Sequence, residues 1–483
     1  RFEDRGALFF DADGDGDQDL YVVSGGPVRR TDSSAYQDRL YLNENGTLRR
    51  APDALPTETT CGSVVTAADY DGDGDLDLFV GGRVVPGRYP HPPRSFVLRN
   101  DSEDDTVRFT DVTETVAPAL ADPGLVTDAL WTDYNADGRV DLMVVGEWMP
   151  ITVFRNTGNG FTDVTQEVGL DDTAGWWMSL AAGDFDADGD TDYVAGNLGL
   201  NTRHEASPQA PMRVHAKDYD GNGQVDPVLT HSVNGTRMPV PRRNRIIAQI
   251  PGLESRFPTH DAYAEASFAE VFTESEREDA YVREAVRFET SYLDNEGDGT
   301  FSVRALPLSV QSAPIFGMES GDFNADGHLD LLMIGNWYAP HVRTGRADAF
   351  VGAFLRGDGT GHFSVQDGTE SGFFVEGDGK ATAHVATGNG TSLVVATQNS
   401  GPLKAFRGRR PDSMRVVQVR PLDQSARLVF DNGRTRRTEF YYGSGYLSQS
   451  SRVLRVPPDV AKVIITNSKG TQRRISVGDR SEN

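Results

Sequence analysis

Short apolar runs alternate with acidic, glycine-bearing turns along most of the chain. Residues 129–155 show the pattern best. Ala129-Leu130-Trp131-Thr132 enters a polar loop, Leu142-Met143-Val144-Val145 leaves it, and residues 151–155 return. Asn156-Thr157-Gly158-Asn159-Gly160 then turns into Phe161-Thr162-Asp163-Val164. Runs of this length, bounded by Gly and Asn, predict strands joined by tight turns. Seven such units fill residues 1–410, each the size of a four-stranded propeller blade. The predicted fold is therefore all-β: a seven-bladed β-propeller, with residues 411–483 as a small separate β domain. In that domain residues 414–419, 427–430, 453–456 and 462–466 read as strands, with Asp431-Asn432-Gly433 as a hairpin turn. The fifth unit carries an insertion over about 254–290. There residues 259–271 and 273–288 read as helices, the second opened by the capping pair Thr273 and Glu276.

The polar loops share one spacing. The second reads Asp69, Asp71, Asp73, Asp75, Asp77, with Gly at position 6, and runs into Leu78-Phe79-Val80. Oxygen ligands at positions 1, 3, 5 and 9, with a backbone carbonyl at 7, suit one hard cation such as Ca²⁺. An EF-hand would place Glu at position 12 and continue as a helix. Val80 stands there inside a strand, so this is a calcium loop feeding a strand. The spacing recurs at Asp11, Asp13, Asp15, Asp17, Asp19 and at Asp133, Asn135, Asp137, Arg139, Asp141. It returns at Asp184, Asp186, Asp188, Asp190, Asp192 and at Asp218, Asp220, Asn222, Gln224, Asp226. The last copy is Asp322, Asn324, Asp326, His328, Asp330. About six bound Ca²⁺ are expected. The seventh unit, at Gly377-Asp378-Gly379-Lys380, is expected to be metal-free.

Net charge is −25, and it is unevenly spread. Residues 411–483 hold 13 basic against 7 acidic side chains, so the propeller part carries all of the excess acid. Nucleic acid is thereby excluded as a partner of that part. No apolar run is long enough for a transmembrane helix, and no signal peptide precedes Arg1, so the sequence reads as a mature fragment or the tail of a longer chain. A single cysteine, Cys61, excludes an internal disulfide.

These loops, with their following strands and Asn-x-Gly-x-Gly-Phe turns, resemble FG-GAP/VCBS repeats, the calcium-loop propeller repeats also found in integrin α chains. Tyr442-Gly443-Ser444-Gly445-Tyr446-Leu447-Ser448-Gln449 resembles the ASPIC/UnbV module that follows such repeats. Gly81-Gly82-Arg83, Gly146-Glu147-Trp148 and Gly196-Asn197-Leu198 resemble a subgroup of large surface proteins of Bacteroidetes-type bacteria. That resemblance implies an extracellular or outer-membrane location and a possible association with a SusC/SusD-type uptake system.

In a four-stranded meander, the connections opposite the acidic loops gather on the other face. Arg83, Glu147, Trp148, Trp176, Trp177, Asn197, Asn201, Asn336, Trp337 and Tyr338 fall there. Aromatics beside amides and a carboxylate suit a glycan or peptide, with Trp148 and Trp337 as anchors. The competing reading is packing and turn satisfaction. The sequence holds no Gly-x-Ser-x-Gly elbow, P-loop, HExxH or CxxC, and no catalytic residue is assigned. The leading expectation is thus a non-catalytic, calcium-stabilised surface propeller that binds a glycan, peptide or protein. The alternatives are a propeller-type polysaccharide lyase, with Arg83 and Tyr338 as its nearest candidates, and a pure scaffold.

Overall fold

The structure, a computed structural model, describes residues 2–26, 33–103, 106–338, 345–387, 392–408 and 415–476. It is mostly β, built from several small antiparallel sheets. The first sheet runs Asp4–Phe10, Asp19–Ser24, Arg39–Glu44, Thr47–Arg50, each strand paired with the next. The second is Gly62–Ala68, Asp77–Gly82, Phe96–Asn100, Phe109–Asp111. The third is Leu125–Thr132, Asp141–Met149, Thr152–Asn156, Phe161–Asp163, with Gly175–Trp176 added beside its second strand. The fifth is Ile315–Gly321, Asp330–Gly335, Ala353–Gly357, Phe363–Gln366, and the sixth Gly379–Ala386, Ser392–Gln398, Lys404–Arg407.

The fourth sheet departs from this order. Its inner pair, Ser179–Gly183 and Asp192–Gly196, continues not into the next segment but into Ser291–Asn295 and Phe301–Ala305. Everything between is an insertion with its own sheet, ordered Thr236–Pro239, Asp226–Val233, Met212–Lys217, Tyr281–Ala285. The expected fifth unit is therefore not a blade in sequence. Its acidic loop, Asp218 to Asp226, belongs to the inserted sheet, and six sheets succeed one another rather than seven. The physical reason is a long-range pairing: Tyr193 lies opposite Leu293 and Ala195 opposite Ser291, and no local signal encodes that register.

The insertion's helices are short: Arg243–Gln249, Leu253–Arg256, His260–Ala264, Phe268–Val271 and Glu274–Arg277. The Thr273/Glu276 capping box forms as expected. The helix it opens stops at Arg277, however, because residue 279 turns left-handed (φ 60°) and the chain pairs with Met212–Lys217 as a strand.

The first strands of successive sheets lie side by side from the first sheet to the sixth. Between neighbouring sheets lie separate apolar layers. Leu8 and Phe10 meet Val65 and Leu78, Phe79 meets Val126 and Trp131, Leu130 and Val145 meet Leu180 and Tyr193, and Val194 meets Ile315 and Leu331. Each layer is the face-to-face packing of two twisted sheets.

After the sixth sheet come Arg415–Gln418 paired with Val453–Val456, and a four-stranded sheet. That sheet is ordered Thr435–Glu439, Asp423–Phe430, Val460–Asn467, Gln472–Ser476. Their core is separate (Leu428, Phe430, Val456, Val463, Ile465). The expected boundary at residues 410/411 lies outside the described residues. This second unit does not stand apart, because its residues 434–451 run along the first strands of all six sheets. Arg434 donates to Gly327 O (2.8 Å), the Arg437 N–H to Asp184 Oδ2 (2.7 Å), and Thr132 Oγ1 to Glu439 Oε2 (2.7 Å). Ala67 N donates to Tyr442 O (3.2 Å), and Ser448 Oγ to Thr382 O (2.9 Å). Gln449 meets both backbone groups of Phe9, accepting from N and donating to O at 2.8 Å each.

Candidate metal centre

Five of the acidic loops link the first strand of a sheet to the second, in sheets one to five, and so lie at one end of the sheets. Each winds by carboxylates accepting from the backbone two to five residues ahead. Asp11 takes Gly14 N (2.8 Å) and Gly16 N (3.1 Å), Asp71 takes Asp73 N (3.2 Å), and Asp73 takes Asp75 N (2.9 Å). The glycine at position 6 is required by its backbone: φ is 94° at Gly16, 112° at Gly74 and 104° at Gly189.

The position-9 aspartates, Asp19, Asp77, Asp141, Asp192 and Asp330, are fully buried. They staple the loop to the sheet. Asp77 accepts from Tyr70 N (3.3 Å) within the loop and from Asn100 N (2.8 Å) on the third strand; Asp192 accepts from Phe185 N and Asn295 N (3.0 Å each). Asp19 and Asp330 repeat this with Ala12 and Asn43, and with Phe323 and Gly357. Burial pushes these carboxyls upward, to about 9 at Asp77, about 8 at Asp141 and Asp192, about 7 at Asp330 and about 6 at Asp19. A nearby cation reverses that pressure by favouring the charged form.

The remaining oxygens test whether a cation fits. Asp69 (5% exposed), Asp184 (2%) and Asp322 (6%), all at position 1, each keep one buried oxygen without a partner, Oδ2, Oδ1 and Oδ1 respectively, and so does the less buried Asp133 at Oδ1. Buried polar atoms are ordinarily satisfied, so four orphans at one repeated position fit a missing hard-cation bond. Side-chain oxygens converge to within 4.8 Å in four loops: Asp11, Asp13 and Asp15; Asp69, Asp71 and Asp77; Asp184, Asp186 and Asp188; Asp218, Asp220 and Asp226.

The loops beginning at Asp133 and Asp322 show no such convergence among the described residues. Both carry Asn at position 3, and arginines occupy their carboxylates. Arg139 pairs with Asp137, Arg437 with Asp133 (2.9 Å), and Arg356 with Asp326 (2.7 Å). By carboxylates alone, four loops converge; the amide oxygens of Asn135 and Asn324, expected ligands of the other two, stand outside that count. Asp73, Asp75, Asp17, Asp190, Gln224 and His328 stand in their loops outside the converging sets. In the sixth sheet, Gly377 to Lys380 lead into the first strand. The connection where a loop would stand, residues 388–391, lies outside the described residues.

A second repeated feature escaped sequence reasoning. Asn100, Asn156 and Asn295 end the third strands of sheets two, three and four, each 4% exposed or less. Each amide donates to the position-2 carbonyl of the preceding sheet's acidic loop: Asn100 to Ala12 O (3.0 Å), Asn156 to Tyr70 O (2.8 Å), Asn295 to Tyr134 O (2.8 Å). Loop geometry and sheet-to-sheet packing are thus one network. The signal was the recurring Asn before the Gly turn, readable as a turn residue but not as a latch.

At the opposite end, the residues expected to form a ligand face gather as an apolar cluster. Trp148 (3% exposed), Trp176 (9%) and Met178 pack with Leu198, Phe288 and Phe316, flanked by Tyr89, Trp337 and Tyr446. Trp148 Nε1 donates to Tyr89 OH (2.5 Å), Tyr89 OH to Glu147 Oε2 (3.2 Å), and Arg83 forms an ion pair with Glu147. Trp177 is fully buried in the layer between sheets three and four and donates to Thr173 O. Asn197 and Asn336, both 0% exposed, satisfy turn backbones. Asn197 serves Leu198 N and Arg287 O, and Asn336 serves Phe350 N, Phe350 O and Gly377 O. Asn201 donates to Ser312 O, and Tyr338 OH to Glu376 O (3.2 Å). The structure brings these residues together as packing, and the insertion contributes Phe288 to their cluster.

With that geometry, comparison with known proteins places residues 11–80 and 133–195 in the family described as FG-GAP-like repeat. The chain is β-rich, and those two stretches are similar to FG-GAP-like repeats. No curated protein matches it. Among solved structures it resembles the V. cholerae biofilm matrix protein Bap1, at 10% identity and TM-score 0.34 over 98% of this chain and 83% of that one. It also resembles the Bacillus licheniformis rhamnogalacturonan lyase PL11, at 12% identity and TM-score 0.25 over 98% and 71%. Likeness at this level does not extend to function. No helix among the described residues is long and apolar enough to cross a membrane.

Proposed function

We propose that the chain is a non-catalytic, calcium-stabilised propeller that presents a binding surface to a glycan, peptide or protein partner outside the cell. In this reading the six sheets close into a ring, and residues 448–451 join the sixth sheet to the first. The observation that carries it is the repeated orphan: Asp69 Oδ2, Asp133 Oδ1, Asp184 Oδ1 and Asp322 Oδ1, buried and unpartnered at the first ligand position. Sites of this ligand count, at about 10⁻⁴–10⁻³ M, fill in a compartment with millimolar calcium, which supports an extracellular or outer-membrane surface. A SusC/SusD-type complex is one partner compatible with that location.

At the far end, the two residues nearest to a lyase's base and counter-charge are both engaged. A lyase needs a free base facing a charge-neutralising group. Here Arg83 is paired with Glu147, and the Tyr338 hydroxyl is bonded to Glu376 O.

The test is thermal unfolding of the full chain with calcium and with excess EGTA, alongside a glycan array and an absorbance assay on uronic-acid polymers. Chelation lowers the melting temperature, because a ligand bound only by the folded state stabilises it by mass action. An unchanged melting temperature removes calcium from the reading, and unsaturated uronate product replaces it with a lyase.

A further inference from the structure

We infer that the fourth acidic loop is the tightest cation site of this chain, because Asp294 supplies it a carboxylate from outside the loop. The inference rests on the calcium reading above and adds a residue that the loop spacing does not contain.

Asp294 lies on the third strand of the fourth sheet, Ser291–Asn295. Asp186, Asp192 and Asp294 bring one oxygen each within 4.8 Å of one another, and Asp184, Asp186 and Asp188 do the same. The two sets overlap at Asp186 without merging into one set of five, so Asp294 joins the loop through Asp186 and Asp192, beside the set that holds Asp184. Among the described residues no other converging set draws on a residue beyond its own loop. The independent sign of a missing ligand is Asp184. It is 2% exposed, its Oδ2 is taken by the Arg437 N–H, and its Oδ1 is left without a partner.

The sister sheets show that this position is unusual. In sheets two to five the position-9 aspartate accepts from the N–H of an equivalent residue on the third strand: Asn100, Asn156, Asn295 and Gly357. The residue just before is Arg99, Arg155, Asp294 and Arg356. Three sheets thus place an arginine in this register: Arg99 pairs with Asp101 and Arg155 with Glu167, whereas Arg356 donates to the loop carboxylate Asp326 Oδ2 through both Nε (3.0 Å) and Nη2 (2.7 Å). In the fifth sheet the side chain at this position therefore reaches the loop and competes there with a cation. In the fourth sheet the same reach delivers a negative charge instead. Arg304 on the outer strand also pairs with Asp294, its Nη1 3.5 Å from Oδ2, a longer contact than those of Arg437 with Asp133 (2.9 Å) and Arg356 with Asp326 (2.7 Å). Affinity for Ca²⁺ rises with the number of charged ligands, so this site fills first.

The experiment is calorimetric titration of the calcium-stripped full chain with CaCl₂, repeated on Asp294→Asn and Asp294→Arg, with circular dichroism as the fold control. The arginine variant recreates what three sister sheets already carry, so it keeps the protein testable if the asparagine does not fold. Expected is one tight site in the wild type, weakened about ten-fold or more in Asp294→Asn, with the weaker sites unchanged. A wild type that binds calcium at several sites, with isotherms identical in both variants, overturns this inference alone. A wild type that binds no calcium overturns the calcium reading as well.

Discussion

Replacing Asn156 by Ala removes one latch between the second and third sheets, and its cost can be worked from the structure. The side chain is 2% exposed and makes three hydrogen bonds: Nδ2 to Tyr70 O (2.8 Å), Nδ2 to Val140 O (3.1 Å), and Oδ1 from Gly158 N (2.9 Å). The backbone N–H that serves Asp141 Oδ1 survives the change. Truncation therefore orphans two buried carbonyls and one less buried N–H. Each buried group left unmade costs about 1–3 kcal/mol, so about 3 kcal/mol is expected. Asn43 is the internal control. It occupies the same register in the first sheet, which no acidic loop precedes in the chain; its Nδ2 reaches Gln18 O (3.2 Å) and its Oδ1 takes Gly46 N (2.8 Å), both in an exposed setting. Asn43→Ala should cost less than about 1 kcal/mol. The assay is urea unfolding in saturating calcium, comparing midpoints at unchanged slope. Asn156→Asp, which keeps the accepting oxygen and loses the amide donor, should fall near the alanine variant. Equal costs for Asn43→Ala and Asn156→Ala would refute the latch.

Two further outcomes follow from the contact between the second unit and the sheets. Glu319 on the first strand of the fifth sheet is pushed up to about 7 by burial, against the opposing hydrogen bond from Ser450. Between about pH 4.5 and 7 the folded chain holds a proton that the unfolded chain has released, so this group's contribution falls as pH rises through that window. The loss is at most about 3 kcal/mol, and Glu319→Gln should remove this part of the slope when melting is followed from pH 4.5 to 8. An unaltered slope would show that Glu319 does not titrate there. Gln449→Ala removes both bonds to Phe9, and hydrogen exchange should quicken in Asp4–Phe10 and Gly379–Ala386 while the third sheet stays protected. Unchanged exchange in those two strands would show that their protection does not depend on this residue.

The sequence by itself determined what is local. The one-to-nine carboxylate spacing, the obligatory glycine at position 6 and the short strand after each loop are set within about a dozen residues, and all are present in the structure. The Thr273 cap is equally local, and it formed. Tertiary structure decided what depends on distant partners. Only the pairing of Asp192–Gly196 with Ser291–Asn295 makes the fifth repeat an insertion, and only that pairing carries Asp294 to the fourth loop. Only sheet-to-sheet packing turns Asn100, Asn156 and Asn295 from turn residues into latches. Of the two tryptophans expected as ligand anchors, Trp337 is half-buried at the cluster's flank, while Trp148 is buried with Trp176 because Phe288 of the insertion and Tyr446 pack there, from segments about 110 and 300 residues beyond Trp176 and Trp148. A pattern of apolar and acidic positions records which face a strand buries and which loop can bend around a cation. It does not record which strand arrives beside it, because pairing energy belongs to two segments at once and neither carries it alone.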